Sequence, residues 1–261
     1  ALWIAAWQSL DKNRAAWLAA GAGLAAGAAA LARPSWLLFA PVVVLLAAAV
    51  SSQRRRHLGI GSVMLAACAA AMLSWWIRNY LVIGRFVPTT LQVGASLYDG
   101  WNPQATGASD LSLVDRFVRE EAARPAAGAA PLEYRLDRRL RDEATTWARA
   151  NPGRVAKLAA VKFLRIWNVW PNEPGLSSWP IRLGLMATYV PIMILAVVGA
   201  ARTIRRGWPY LLCWLPAVYL TGLHTIFVGS IRYRVPAMLA LAVLAAGAGI
   251  GGQASGCRVQ D

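Results

Sequence analysis

The chain has 261 residues and a net charge of +15, with 57% hydrophobic and only 15% charged residues. In soluble domains about a quarter of all residues are charged, so this composition excludes an ordinary soluble domain. The basic residues flank long apolar blocks, a pattern typical of membrane proteins, so no nucleic-acid partner is expected. The three cysteines are scattered, with neither paired spacing nor a metal signature.

Six apolar stretches approach the roughly 20 residues that a helix needs to cross a bilayer. The chain begins with Ala1-Leu2-Trp3, a pattern typical of the end of an apolar segment, so we expect a part of the protein upstream of it. The first full stretch is rich in Ala and Gly at 19–30, and small residues let helices approach closely in lipid, so this helix is predicted to pack inside a bundle. The predicted spans cover residues 15–32, 34–50, 58–77, 183–200, 209–228 and 234–252.

The short loops between these spans predict an orientation. Alternate loops hold nine Lys and Arg residues, whereas the opposite hairpins hold only Arg33, Arg232 and Arg234. Because Lys and Arg accumulate in cytoplasmic loops, both ends of this sequence are predicted to be cytoplasmic. The nine residues are Lys12, Arg14, Arg54, Arg55, Arg56, Arg202, Arg205, Arg206 and Arg258.

The chain is therefore predicted to be an all-α, multi-pass membrane protein with one large, mainly helical insert outside the cytoplasm. The predicted parts are transmembrane helices at 1–77, the insert at 78–182, and transmembrane helices with a cytoplasmic tail at 183–261.

Within the insert, residues 84–110 are rich in Gly, Pro, Asn and Thr and predict an ordered loop. Hydrophobic periodicity predicts helices at 112–123 and 132–150, and the Ala/Pro/Gly patch at 122–131 predicts a flexible link between them. A further helix is predicted at about 152–169, because Asn151-Pro152 combines a capping residue with proline in the first turn.

That last helix mixes apolar residues and Trp167 with four basic residues. A basic amphipathic helix of this kind suits a membrane surface. It is equally compatible with a soluble helix packed on its neighbour, so both interpretations remain open.

The motifs of common soluble enzymes are absent, since the sequence has no P-loop, HExxH, GxSxG or Cys/His cluster. Only His57 and His224 are histidines, so a histidine-rich metal site is excluded within this sequence. No cofactor is expected.

Polar residues at the predicted outer ends of spans are the remaining candidates for a site. Arg33 is the only charge between two apolar runs, and such an arginine either faces a cavity or snorkels. Arg78 closes the third span, where the helix dipole alone could explain a cation. Arg232 and Arg234 precede the last span against the charge bias of that side, and guanidinium groups suit bidentate phosphate binding. These arginines therefore suggest a site for an anionic headgroup, such as a lipid phosphate.

Several segments, taken together in order and spacing, resemble bacterial membrane glycosyltransferases related to dolichyl-phosphate-mannose protein mannosyltransferases. The resemblance covers most of residues 15–245, although Trp101 stands where the family often has Asn. The segments are ARP at 32–34, WIRNYLVIGRFVP at 76–88, LY at 97–98, GWNPQATG at 100–107, ANPGR at 150–154, KFLRIW at 162–167 and RYRVP at 232–236.

This resemblance implies a GT-C fold in the inner (cytoplasmic) membrane and transfer of a sugar from a polyprenyl-phosphate donor to an acceptor on the outer face. Related aminoarabinose transferases hold the lipid phosphate with basic residues at outer helix ends, which implies that role for Arg33 and, more loosely, for Arg232 and Arg234. The family's catalytic acid lies in a first outer loop that has no counterpart here, so no catalytic residue is assigned and this sequence alone is expected to be inactive. The possible donor or acceptor site comprises Arg78, Tyr80, Asp99, Asn102, His224 and Tyr233.

Two other functions compete with this one. A transporter or flippase for an anionic lipid would place charges deep within broken spans, and Pro41, Pro191 and Pro216 do interrupt the apolar stretches. A non-catalytic membrane subunit is the third hypothesis, which the missing acid would favour if the sequence were complete.

Overall fold

The computed structural model describes residues 1–124, 130–170, 178–204 and 211–250. Within these ranges the protein contains eleven α-helices and no strand, which confirms the all-α prediction. Its contacts divide it into two units. The first comprises Ala1–Ala105 and Ser109–Val155, and the second comprises Thr106–Ala108 and Ala156–Asp261.

The helices follow one another with short connections, and turns of 3-10 helix lie at Pro34–Trp36, Leu111–Val114 and Ile231–Tyr233. The α-helices are α1 Leu2–Gln8, α2 Lys12–Ala32, α3 Phe39–Val50, α4 Arg54–Ile83, α5 Val93–Gly100, α6 Asp115–Ala123, α7 Leu132–Ala150, α8 Pro152–Trp167, α9 Trp179–Thr203, α10 Leu211–Ile226 and α11 Val235–Ile250.

Three of the described helices, α2, α4 and α9, are long and apolar enough to cross a membrane. They match the predicted spans at 15–32, 58–77 and 183–200. At about 1.5 Å per residue, the 12 residues of α3 and the 16 described residues each of α10 and α11 fall short of a core about 30 Å thick. The other three predicted spans therefore stay predictions.

Close packing of α2 on α4 depends on two glycines. A Cβ atom on Gly23 would overlap the backbone carbonyl of Met64, and one on Gly27 would lie 2.6 Å from the Cβ of Ala71. Only glycine lets the two backbones approach this closely, as at small-residue interfaces between membrane helices. The predicted close approach of this Ala/Gly-rich helix to a neighbour is confirmed, and its place inside a bundle stays a prediction.

The 30 residues of α4 make it about 45 Å long, which exceeds the hydrocarbon thickness of a bilayer. Arg56 and Arg78 are separated by 22 residues, or about 33 Å of helix. The apolar segment between these two arginines thus has the length of one span.

The insert contains one helix that its sequence did not predict. Residues 84–110 were expected to be loop, but α5 occupies part of them and packs on α7. The backbone N–H of Gly94 donates to the buried carboxylate of Asp137 at 2.6 Å, and Arg141 also donates to that carboxylate at 2.8 Å. This contact between segments fixes α5, which explains why local composition did not reveal it.

The predicted helices at 112–123, 132–150 and 152–169 are confirmed as α6 with its preceding turn, α7 and α8. Residues 125–129 of the predicted link lie outside the described residues. The buried carboxylate of Glu121 holds α6 against α7 through Arg135 at 2.9 Å and Arg139 at 3.6 Å. Beside it, a hydrogen bond from Arg139 lowers the pKa of the Glu120 carboxyl.

The predicted orientation can be tested by cysteine labelling in a chain whose own Cys68, Cys213 and Cys257 are replaced by Ser. Ser52 and Gln104 are exposed and lie on opposite sides of the span in α4. A membrane-impermeant maleimide should label Gln104→Cys in intact cells, and Ser52→Cys only after permeabilisation. Labelling of both positions in intact cells would contradict the orientation.

Candidate functional site

The end of α4 carries Arg78 and Tyr80, two of the predicted site residues. The chain turns back after α4, and the side chains of Trp75, Trp76 and Asn79 donate to the carbonyls of residues 89, 88 and 87, at 2.7, 2.8 and 3.0 Å. Asn79 is buried, whereas Arg78 and Tyr80 are exposed. These hydrogen bonds from the WIRNYLVIGRFVP segment hold the returning chain against the last turns of α4. Arg78 and Tyr80 lie on the exposed side of these turns.

Asp99 and Asn102 lie together at the end of α5, and both are buried. The Asp99 carboxylate accepts hydrogen bonds from Ser109 Oγ at 2.7 Å and from the Asp110 N–H at 2.8 Å. Asn102 donates to the Tyr98 carbonyl at 2.7 Å. These contacts order the loop after α5, and a base at Asp99 would have to act within that hydrogen-bonded network.

The phenol of Tyr98 lies in the same part of the insert. Its ring meets Phe117 edge-on, with centroids 4.8 Å apart. Burial raises the pKa of Tyr98, and the positive charge of Arg116 opposes that effect. Tyr98 therefore stays protonated at neutral pH and contributes no negative charge beside Asp99.

Arg33 lies at the C-terminal end of α2, where its backbone N–H donates to the Ala29 carbonyl at 2.8 Å. Its backbone is extended, and Pro34 begins the next turn. The side chain is half-buried. This placement at a helix end agrees with the position expected from the sequence, and its predicted role in lipid-phosphate binding stays a prediction.

In the second unit, Arg234 fastens the start of α11 to the end of α8. Its Nη1 donates to the carbonyls of Ile166 at 3.1 Å and Asn168 at 2.6 Å. Its guanidinium lies over the ring of Tyr189, 3.8 Å from the centroid. A cation suits this place, because the last carbonyls of a helix carry partial negative charge and lack partners within the helix.

Lys162 and Arg165, on α8, make the reciprocal contacts with the segment that joins α10 to α11. The Lys162 side chain is fully buried, and its ammonium donates to the carbonyl of Ile226, the last residue of α10, at 2.9 Å. Arg165 donates to the Gly229 carbonyl at 3.3 Å. The C-terminal end of α8 thus accepts a hydrogen bond from Arg234, and the C-terminal end of α10 accepts one from Lys162.

His224, Tyr233 and Arg232 are three predicted site residues that the structure brings together. The rings of His224 and Tyr233 stack with centroids 3.9 Å apart. Arg232 lies over the Tyr233 ring, 5.1 Å from its centroid, and its Nη2 donates to the Tyr233 hydroxyl at 3.2 Å. His224 is buried and Arg232 is exposed, so the stack presents a guanidinium at the surface.

An open apolar groove of about 440 Å³ lies between the end of α8 and α9. Tyr189, the residue beneath Arg234, forms part of its wall. The Arg234 guanidinium thus lies beside the apolar wall of the groove. The groove is lined by Phe163, Trp167, Val169, Tyr189, Val190, Met193 and Ile194.

Sequence reasoning did not single out Lys162, although a signal for it exists. Leu158, Lys162 and Ile166 recur every four residues and form the buried stripe of α8. A lysine on the apolar stripe of an amphipathic helix is expensive to bury and must be hydrogen-bonded. Asn79 was also missed, because its partner at residue 87 depends on how the chain reverses after α4.

No family model, curated protein or solved structure matches the chain. Among the described residues, no three His, Cys, Asp or Glu side chains lie close enough together to hold a metal ion. The candidate site consists of the cations, the aromatic rings and the apolar groove described above.

The neighbouring arginines of RYRVP should differ in their effect on stability. Arg234→Met removes charged hydrogen bonds to two helix-end carbonyls, so the free energy of unfolding should fall by about 1.5–3 kcal/mol. Arg232→Met, at an exposed position two residues away, removes a contact with the adjacent Tyr233 ring and should lower the free energy of unfolding by no more than about 1 kcal/mol.

The measurement is reversible unfolding of the purified protein in detergent, with the two variants compared under identical conditions. Equal stability of the two variants would contradict the structural role assigned to Arg234.

Proposed function

We propose that the chain is part of a membrane glycosyltransferase that moves a sugar from a polyprenyl-phosphate donor to an acceptor on the outer face. The observation that carries the proposal is the set of cations around residues 227–234, the join between α10 and α11. Lys162, Arg165, Arg232 and Arg234 lie at this join, whereas the described residues of the second unit include no Asp or Glu. This charge favours an anionic group at the join.

The groove beside Arg234 supports a ligand that has an apolar chain as well as a negative head. Its walls are aliphatic and aromatic, and Arg234 covers Tyr189 at its edge. An isoprenoid phosphate combines these two properties. The residues that resemble the glycosyltransferase family, KFLRIW and RYRVP, form much of this region.

The two arginines would contribute differently to binding. Arg234 donates through Nη1 to the carbonyls of Ile166 and Asn168, at and just after the end of α8, so it supplies positive potential while it holds the backbone. Arg232 is exposed and is oriented by the Tyr233–His224 stack, so its fork can meet a phosphate at the surface. Arg232 is therefore the best candidate in the second unit for direct contact with the lipid phosphate.

In the proposed reaction, a carboxylate base takes the proton from an acceptor hydroxyl as that oxygen attacks the anomeric carbon. The bond between the anomeric carbon and the phosphate oxygen breaks, and its electron pair leaves with the lipid phosphate. Fixed guanidinium groups stabilise the charge that grows on this leaving group. The base is not assigned to a residue of this chain.

Arg232→Ala should reduce sugar transfer about ten- to a hundredfold, because one charged hydrogen-bonding partner of the phosphate, worth roughly 1.5–3 kcal/mol, is lost. Arg232→Lys should restore transfer only in part, since an ammonium lacks the planar fork. Arg33→Ala, in the first unit, should also weaken donor use. The assay is transfer of labelled sugar from a synthetic polyprenyl-phosphate donor by the full-length protein.

Arg138→Ala is the matched control, since Arg138 is an exposed arginine on α7. Arg138→Ala should transfer sugar at the wild-type rate. If Arg232→Ala and Arg33→Ala also transfer at that rate while remaining folded, the phosphate site is not where we place it. If wild-type protein releases no sugar from the donor, the proposed reaction is wrong.

A further inference from the structure

Helix α8 has two faces of different character. Leu158, Lys162 and Ile166 are buried, whereas Phe163 and Leu164 on the opposite side are 46% and 66% exposed. The exposed face is apolar near the C-terminal end of the helix. Two turns earlier it carries the exposed Lys157. Helices that combine Lys and Arg with exposed Trp, Phe or Leu side chains are typical of a membrane interface.

The position of α8 relative to the other helices of its unit is fixed by polar contacts. In addition to the bonds of Lys162, Arg165 and Arg234, the indole of Trp167 donates to Thr221 Oγ1 at 3.1 Å. Thr221 lies within α10, and the other contacts lie at the join between α10 and α11, two apolar helices. The C-terminal half of α8 therefore lies beside the last turns of α10 and the join.

We propose that α8 enters the membrane interface at an incline, with Leu164 among the lipid acyl chains and Lys157 at the headgroup phosphates. Lys157 and Leu164 are seven residues apart, so they lie on one face at a separation of about 10 Å along the axis. When α8 is inclined with its C-terminal end deeper, this separation places Lys157 at the headgroups while Leu164 lies among the acyl chains. Contact with lipid therefore explains both the exposed apolar side chain of Leu164 and the exposed charge of Lys157.

The favoured occupant of this face is phospholipid, because apolar and basic residues follow one another along the helix axis. A soluble protein partner would cover apolar residues surrounded by a polar rim. A bilayer instead presents acyl chains and phosphates as successive layers, which matches the order of Leu164 and Lys157.

Nitroxide labels attached to single cysteines test this placement in the full chain, reconstituted in phosphatidylcholine vesicles with added phosphatidylglycerol. Leu164→Cys and Lys157→Cys are the test positions. Val197→Cys, 63% exposed on α9, gives the lipid reference, and Thr146→Cys, exposed on α7, gives the aqueous reference. Accessibility to oxygen and to a water-soluble nickel complex reports the depth of each label. The native cysteines are replaced by Ser.

The label at 164 should be several-fold more accessible to oxygen than to nickel, as at 197, whereas the label at 157 should lie between the two references. Lys157→Glu should move the label at 164 toward the aqueous reference, because the glutamate repels anionic headgroups. A label at 164 as accessible to nickel as the one at 146 would overturn the proposal. Protection of 164 from both reagents would also overturn it, since that result means a protein partner covers the face.

Discussion

The buried ammonium of Lys162, bonded to the last carbonyl of α10, is the interaction on which the second unit depends. A helix ends with carbonyls that have no partner within the helix, and in an apolar environment each of them needs a donor. A lysine can meet this need from a neighbouring helix, and its charge also complements the helix dipole. Because Lys162 lies in the C-terminal half of α8, the same bond places that half against the join of α10 and α11.

Arg165 and Arg234 extend this arrangement in both directions. Arg165 reaches the loop after α10, and Arg234 reaches back to the end of α8. The loop itself approaches α8 closely, because a Cβ on Gly229 would lie 2.6 Å from the Lys162 carbonyl oxygen. In the insert, the buried carboxylates of Asp99, Asp137 and Glu121 serve in the same way, each accepting several hydrogen bonds or ion pairs. Arg232, by contrast, is exposed and donates to the Tyr233 hydroxyl.

The sequence predicted those features that depend on local pattern. The apolar blocks identified α2, α4 and α9, and the leucine period of α7 gave both of its ends. Helix α5 was missed because its eight residues begin and end near glycines and are held by Asp137, which lies far along the chain. The contacts of Lys162 and Arg234 join residues more than 60 positions apart, so sequence spacing could identify these side chains as unusual without giving their partners.

Replacement of Gly229 by alanine tests most directly whether α8 is fastened against the join of α10 and α11. The added methyl group would press on the backbone of Lys162, so Gly229→Ala should lower the unfolding temperature of the purified protein. Gly222→Ala is the matched control within α10, where a Cβ meets no atom within 4 Å and alanine favours the helix. The account predicts a clear loss for Gly229→Ala and none for Gly222→Ala. Equal unfolding temperatures would contradict it.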